Sequence, residues 1–252
     1  MPSVSIRPYA GSLPHGAADA VIVGVDVIRA TTTAITAVAT GRRCVVAATL
    51  QAALEQQARL APALLAGELG GNMPYGFDLQ NSPTAVLALD GVDIPIVLLS
   101  TSGTGLLVAA GARPPARSSG TAGGSGPLTL AACLRNWAAQ ARELIALGPD
   151  HVVLLGAESR GEFREEDLLC CAWIAAVLLD SGYDADRASR QIVGTWRDAP
   201  VDRIADGKSA AYLRGSGQAE DLDFILGHVA DLDATFELRA DELMARRSEP
   251  PE

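Results

Sequence analysis

Asp26 and Arg29 stand three residues apart and are followed at once by Thr31, Thr32 and Thr33. A carboxylate can hold a divalent cation, a guanidinium can grip two oxygens of a phosphate or carboxylate, and hydroxyls at a helix start can seat an anion. Taken alone, the segment fits a solvated Asp–Arg pair and an ordinary threonine helix cap as well as it fits a site.

Similar clusters recur downstream. Gly67 to Pro83 is long and rich in Gly, Asn and Pro, and it carries Glu68, Asp78, Asn81 and Ser82. A loop of that length inside a compact fold is more often functional than not. Ser100 to Gly105 reads S-T-S-G-T-G and precedes an apolar helical run, so Thr101, Ser102, Gly103 and Thr104 form a candidate phosphate cradle. No lysine follows these glycines, so it is not a P-loop. Glu165, Glu166 and Asp167 open a further helix, where acids suit the helix dipole and could equally supply a metal ligand.

The elements that must position these residues alternate along the chain. Val21 to Val25 is an apolar, β-branched run that reads as a strand buried on both faces. Arg43 to Ala47, Leu64 to Ala66, Ile94 to Leu99, Leu128 to Cys133 and His151 to Leu155 read as further strands, with Ser3 to Arg7 as an edge strand and Thr235 to Leu238 as the last. Helices are expected after most of them, among them one capped by Thr49 and one opened by Asn136. The fold class is therefore α/β, a mixed or largely parallel β-sheet layered between helices. In such folds ligands bind at the carboxyl ends of strands, where the polar clusters fall, so Asp26, Arg29, Glu68, Thr101 and Asp167 are expected to converge on one cleft. Residues 1–245 are read as one α/β domain, with two tightly packed lobes as the alternative. Arg113 to Pro127 is expected to be a surface loop and 246–252 a disordered tail.

Composition narrows the partners. The chain has 252 residues, is 48% hydrophobic and carries a net charge of −10, without a basic run and with few aromatics, which argues against nucleic acid. An acidic chain that handles an anion must concentrate positive charge locally or use a divalent cation. No apolar run approaches the roughly 18 residues of a membrane span, and no signal peptide is recognisable. Cys44, Cys133, Cys170 and Cys171 lie in apolar surroundings without C-x-x-C spacing and read as reduced core residues of a cytoplasmic protein. The three histidines form no ligand-spaced cluster, so zinc is not expected.

The motifs together resemble the 2-phosphosulfolactate phosphatase family, the ComB-like proteins of coenzyme M biosynthesis. The matching pieces, in order along nearly the whole chain, are V-D-V-I-R-A-T-T-T at Val25 to Thr33, G-E at Gly67-Glu68 and G-F-D-L-Q-N-S-P at Gly76 to Pro83. S-T-S-G-T at Ser100 to Thr104, Asn136, and G-E-F-R-E-E-D at Gly161 to Asp167 complete them. The sequence departs from the family pattern at Ser102, where the family has Asn, and at Ala132-Cys133, where it has Gly-Ser; Gly120 to Gly126 resembles an insertion.

The resemblance implies an Mg²⁺-dependent phosphatase acting on a small anionic phosphorylated substrate. Arg29 would clamp the phosphate or a second acidic group, while Thr31, Thr32, Asn81, Ser82, Thr101 to Thr104 and Asn136 would bind the remaining oxygens. Asp26, Glu68 and Asp167 would hold Mg²⁺ or orient water, and Glu166 would serve as general acid or base. The division among these acids stays open, as does a homodimer. The rival reading is a non-catalytic binder of an anionic phosphometabolite on the same scaffold.

Overall fold

A computed structural model describes residues 1–9, 19–113, 128–159 and 161–246. In chain order the elements are β1 (Ser3–Tyr9), β2 (Val21–Val25), α1 (Ala30–Ala39), β3 (Cys44–Ala47), α2 (Leu50–Leu60), β4 (Leu64–Gly67), α3 (Pro83–Leu87), β5 (Ile96–Leu99) and α4 (Gly103–Gly111). They continue with β6 (Thr129–Ala132), α5 (Trp137–Leu147), β7 (His151–Ser159), β8 (Glu162–Phe163), α6 (Glu165–Asp180), β9 (Asp184–Ala185) and α7 (Arg187–Trp196). A 3-10 turn (Val201–Asp206), α8 (Lys208–Gly215), α9 (Ala219–Gly227), β10 (Thr235–Arg239) and β11 (Glu242–Arg246) complete the chain.

The strands form one mixed, largely parallel sheet in the order β4-β5-β3-β11-β10-β6-β2-β7-β1-β9, with β8 paired to β7. Alternation along the strands fills both faces. Val23 and Val25 of β2 join the core beneath α5 and α6, while Ile22 joins the core with Ile35, Leu106 and Leu107 on the opposite face. The apolar runs therefore read correctly as doubly buried strands.

Two placements differ from expectation. Ser3–Tyr9 is not an edge strand, because it pairs with β7 on one side and with the short β9 on the other. After Thr235–Arg239 the chain turns back as a second strand, β11, so Arg246 belongs to the sheet rather than to a tail and pairs with Glu143 at 2.7 Å and Glu237 at 3.1 Å. The rest of the expected tail and nearly all of the expected 113–127 loop lie outside the described residues; Arg113 itself is buried and donates to the Ala20 carbonyl.

The β10–β11 hairpin sets the geometry of the site. Both strands are antiparallel to their neighbours, so the block β3, β5, β4 runs opposite to the block β6, β2, β7, β1. α4, which follows β5 in one block, crosses to pack on β2 in the other. Gly24 permits the crossing: a Cβ there would stand 2.5 Å from Leu106 Cδ2.

Candidate active site

At the end of β2 the chain is tied down by its own side chains. Thr31 Oγ1 accepts from Asp26 N at 3.0 Å and lies 2.8 Å from both the Asp26 and Ala132 carbonyls. Thr32 Oγ1 donates to Val27 O at 2.7 Å. Both threonines are fully buried, and neither reaches the cleft. The start of α1 is capped by Asp26 instead, whose Oδ1 accepts from Ala30 N at 3.1 Å. The threonine hydroxyls hold the Asp26 loop in place of binding an anion.

A second anchor joins β4 to β5. Glu68 Oε1 accepts from Thr101 N at 2.7 Å, and Oε2 accepts from Thr101 Oγ1 at 2.8 Å and Gly71 N at 2.6 Å. The loop 67–83 folds back as its apolar residues suggested: Phe77 is buried and Asp78 Oδ2 accepts from Leu65 N at 2.8 Å. Ser100 and Thr104 bond each other through hydroxyl and backbone, leaving Thr104 fully buried. Gly103 is required where α4 begins, because a Cβ there would lie 2.2 Å from Asp26 Oδ2.

Asp167, in the first turn of α6, reaches across to β2, and its Oδ1 accepts from Val27 N at 2.8 Å. Burial pushes the Asp26 carboxyl from its ordinary 3.8 up to about 7, with the Glu68 and Glu166 charges pushing the same way and Ala30 N and Arg29 opposing. Burial also raises Asp167 well above its ordinary value, with Asp26 and Glu166 adding to it. Glu166 is raised chiefly by burial too, against the lowering influence of Ser209.

Arg29 is a structural partner as well, though not of Asp26. Its Nη1 donates at 2.6 Å to Oδ2 of Asp221 in α9, with both side chains 4% exposed. Asp221 Oδ1 in turn accepts from Ser82 Oγ at 2.7 Å, Thr84 Oγ1 at 2.6 Å and Thr84 N at 3.2 Å. Ser82 is thus occupied as an anchor and as the cap of α3. Asn81 is buried with an amide oxygen that finds no partner.

These elements enclose a cleft of about 410 Å³. Asp26, Arg29, Glu68, Asn81, Thr101, Ser102 and Asp167 line it, so the structure brings together the five residues expected to converge. Of the other candidates, Gly103 packs against Asp26 but does not line the cleft. Glu166 sits behind the wall, and Thr31, Thr32, Ser82 and Thr104 are engaged inside the fold. Asn136 is fully buried and does not cap its helix by side chain; its Oδ1 accepts from Cys133 N at 2.9 Å and its Nδ2 donates to Ala131 O at 3.2 Å. A second, outer group of lining residues, Glu162, Arg164, Lys208, Ser209 and Tyr212, was not anticipated. Glu162 and Arg164 belong to a motif already singled out, but Lys208 to Tyr212 carries no comparable signal.

A family model for 2-phosphosulpholactate phosphatase matches residues 9–229. The chain belongs to this family. It is similar to probable 2-phosphosulfolactate phosphatases of Pseudothermotoga lettingae, 31% identical over 81% of this chain and 83% of the relative, and of Synechococcus sp. strain JA-2-3B'a(2-13), 34% identical over 84% of each. A third from Deinococcus radiodurans is 30% identical over 84% of this chain and 85% of its own.

Set against the family pattern, the two departures separate. Ser102 is on the cleft wall at the start of α4, whereas Cys133 is fully buried in the core. All four cysteines are buried free thiols. Among the described residues no helix is long and apolar enough to cross a membrane.

Among the described residues no group of three or more His, Cys, Asp or Glu could hold a metal ion by itself. Mg²⁺ commonly takes one or two carboxylates and completes its shell with waters and substrate phosphate. Asp26 and Asp167 fit that pattern: each uses Oδ1 to accept a backbone N–H and keeps Oδ2 free of hydrogen bonds, and burial with neighbouring negative charge disfavours their ionisation without a cation. Glu68 fits less well, since three donors already occupy its oxygens.

Proposed function

We propose that this chain is an Mg²⁺-dependent phosphatase that hydrolyses a small acidic phosphate monoester of the 2-phosphosulfolactate kind to sulfolactate and phosphate. The observation that carries the reading is the pairing of two buried carboxylates, Asp26 and Asp167, with Arg29 on one wall of a cleft large enough for such a molecule. Asp26 and Asp167 would hold the ion. Bound there, Mg²⁺ would neutralise charge on the phosphoryl oxygens.

The chain's own residues supply the rest. Arg29 presents its remaining N–H groups to the phosphoryl group, fixed in direction by the Asp221 pair. The start of α4 at Ser102 faces the same space with the positive end of a helix. Asn81, with its amide oxygen unpartnered, is available to accept from a substrate hydroxyl or from water. Water attacks phosphorus, the ester P–O bond breaks, and the departing alkoxide takes up a proton. The three bonds on Glu68 keep Thr101 and the 67–71 loop from drifting into that space.

The test is a panel of phosphate monoesters assayed for released phosphate, with Mg²⁺ and after chelation. Turnover of an acidic monoester that vanishes on chelation and returns with Mg²⁺ supports the reading. Tight binding of the same compounds with no turnover under either condition replaces it with the non-catalytic binder.

A further inference from the structure

The cations around the cleft are held in two different ways. Arg29 is neutralised by a buried carboxylate that is itself locked by three donors. Arg164, immediately before α6 and three residues from Asp167, also lines the cleft, its side chain 15% exposed, with Nη1 only 3.2 Å from Glu162 Oε2 and a buried Nε that has no partner among the described residues. Lys208 Nζ donates to the same carboxylate, at 2.7 Å to Oε1 and 2.6 Å to Oε2. Glu162 therefore bridges two cations at the cleft mouth while its own side chain is half exposed. Ser209 lines the wall beside them.

A carboxylate between an arginine and a lysine occupies the place that an acidic ligand group would take. Among the described residues the side-chain bonds of Glu162 are to those two cations alone. The exposed Lys208–Glu162 pair contributes little to stability, so exchanging its anion for another costs little.

We propose that Arg164 and Lys208 form a second anion subsite that grips the carboxylate or sulfonate of the substrate, and that Glu162 is an internal stand-in displaced when that group arrives. The assignment rests on the phosphatase reading for what fills the inner wall. It makes the outer wall the determinant of specificity, selecting monoesters that carry a second acid over those that do not. Arg164, with an unpartnered N–H already inside the wall, makes the directional contact, and Lys208 adds charge at the mouth.

The experiment compares kcat/KM for 2-phosphosulfolactate with that for glycerol 2-phosphate, which has no second acid. In Arg164→Gln the ratio should fall on the order of 30-fold, mostly through KM, as expected for losing a charged hydrogen bond in a shielded site. In Glu162→Gln the ratio should rise about threefold, because the competing anion is gone. Glu162 is exposed, so this second variant keeps the test decisive should Arg164→Gln fold poorly. A ratio that stays within about twofold of the parent in both variants overturns the subsite, even with turnover intact. Calorimetric titration with sulfolactate separates the two readings. If the parent hydrolyses nothing yet Arg164→Gln weakens sulfolactate binding, the subsite stands and the hydrolase reading falls. Equal sulfolactate affinity in the parent and both variants counts against the subsite whatever the turnover.

Discussion

Two groups of charges line the cleft, one buried throughout and one that reaches the surface. On the inner wall, Asp26, Arg29 and Asp167 are buried and each is fixed by a partner, Asp26 locally by Ala30 N, and Arg29 and Asp167 by Asp221 and Val27 N from distant parts of the chain. In the outer group, Glu162 is half exposed and Lys208 more so, and Glu162 holds both Lys208 and the mostly buried Arg164. A buried, pre-bonded charge does not move when substrate arrives, which suits stabilisation of a transition state. An exposed, lightly paired charge can trade partners, which suits recognition. On the proposed reading, the same residue types divide into chemistry and selection according to how deeply each is fastened.

The comparison breaks most readily at Asp221. Replacing it by alanine leaves Arg29 buried and unpaired, and the cost should be about 3–5 kcal/mol of unfolding free energy in a denaturant titration. Loss of less than about 1 kcal/mol would mean that Arg29 relaxes to solvent and that the inner wall is not rigid.

Arg29→Lys comes next. It keeps the charge but loses the planar fork that serves Asp221 on one side and the cleft on the other. We expect kcat/KM to fall on the order of 10²-fold with the fold retained, as measured by steady-state kinetics beside a thermal melt. Near-parental turnover would remove Arg29 from the phosphoryl site and leave it only the Asp221 pair.

A smaller effect follows from proton linkage. Asp26 titrates near 7 when folded and near 3.8 otherwise, and Asp167 and Glu166 are raised as well. The folded state therefore holds protons that the unfolded chain has released, and the metal-free protein should lose stability as pH rises from about 4 to about 7. Asp26→Asn should flatten that slope. A metal-free protein whose melting temperature climbs across this interval would show that the inner carboxylates are not desolvated as described.

Much of the fold was legible because buried strands advertise themselves: Val21 to Val25 is apolar but for Gly24, and Ile96 to Leu99 is apolar throughout. The carboxyl-end rule found the inner wall, since Asp26, Glu68 and Thr101 each follow a strand. What stayed hidden depends on long-range pairing. Asp221 lies 192 residues from Arg29 and reads locally as one more acid in a helix's first turn. Lys208 and Tyr212 sit on a short polar helix whose docking onto the cleft no local pattern foretells. The threonines misled for a related reason, because a hydroxyl at a helix start suits backbone bonding as well as it suits an anion. The β10–β11 hairpin, which reverses half of the sheet, left only a single strand-like trace in the sequence.

The most direct measurement is phosphate release from 2-phosphosulfolactate over an Mg²⁺ titration, for the parent and for the Asp26→Asn, Asp167→Asn double variant, with circular dichroism to establish that both are folded. The parent should show turnover that rises to saturation with Mg²⁺ and disappears on chelation. The double variant should remain folded and release no phosphate at any Mg²⁺ concentration. Turnover by the folded double variant at the parental rate, with the same Mg²⁺ dependence, would contradict the placement of the chemistry on the inner wall.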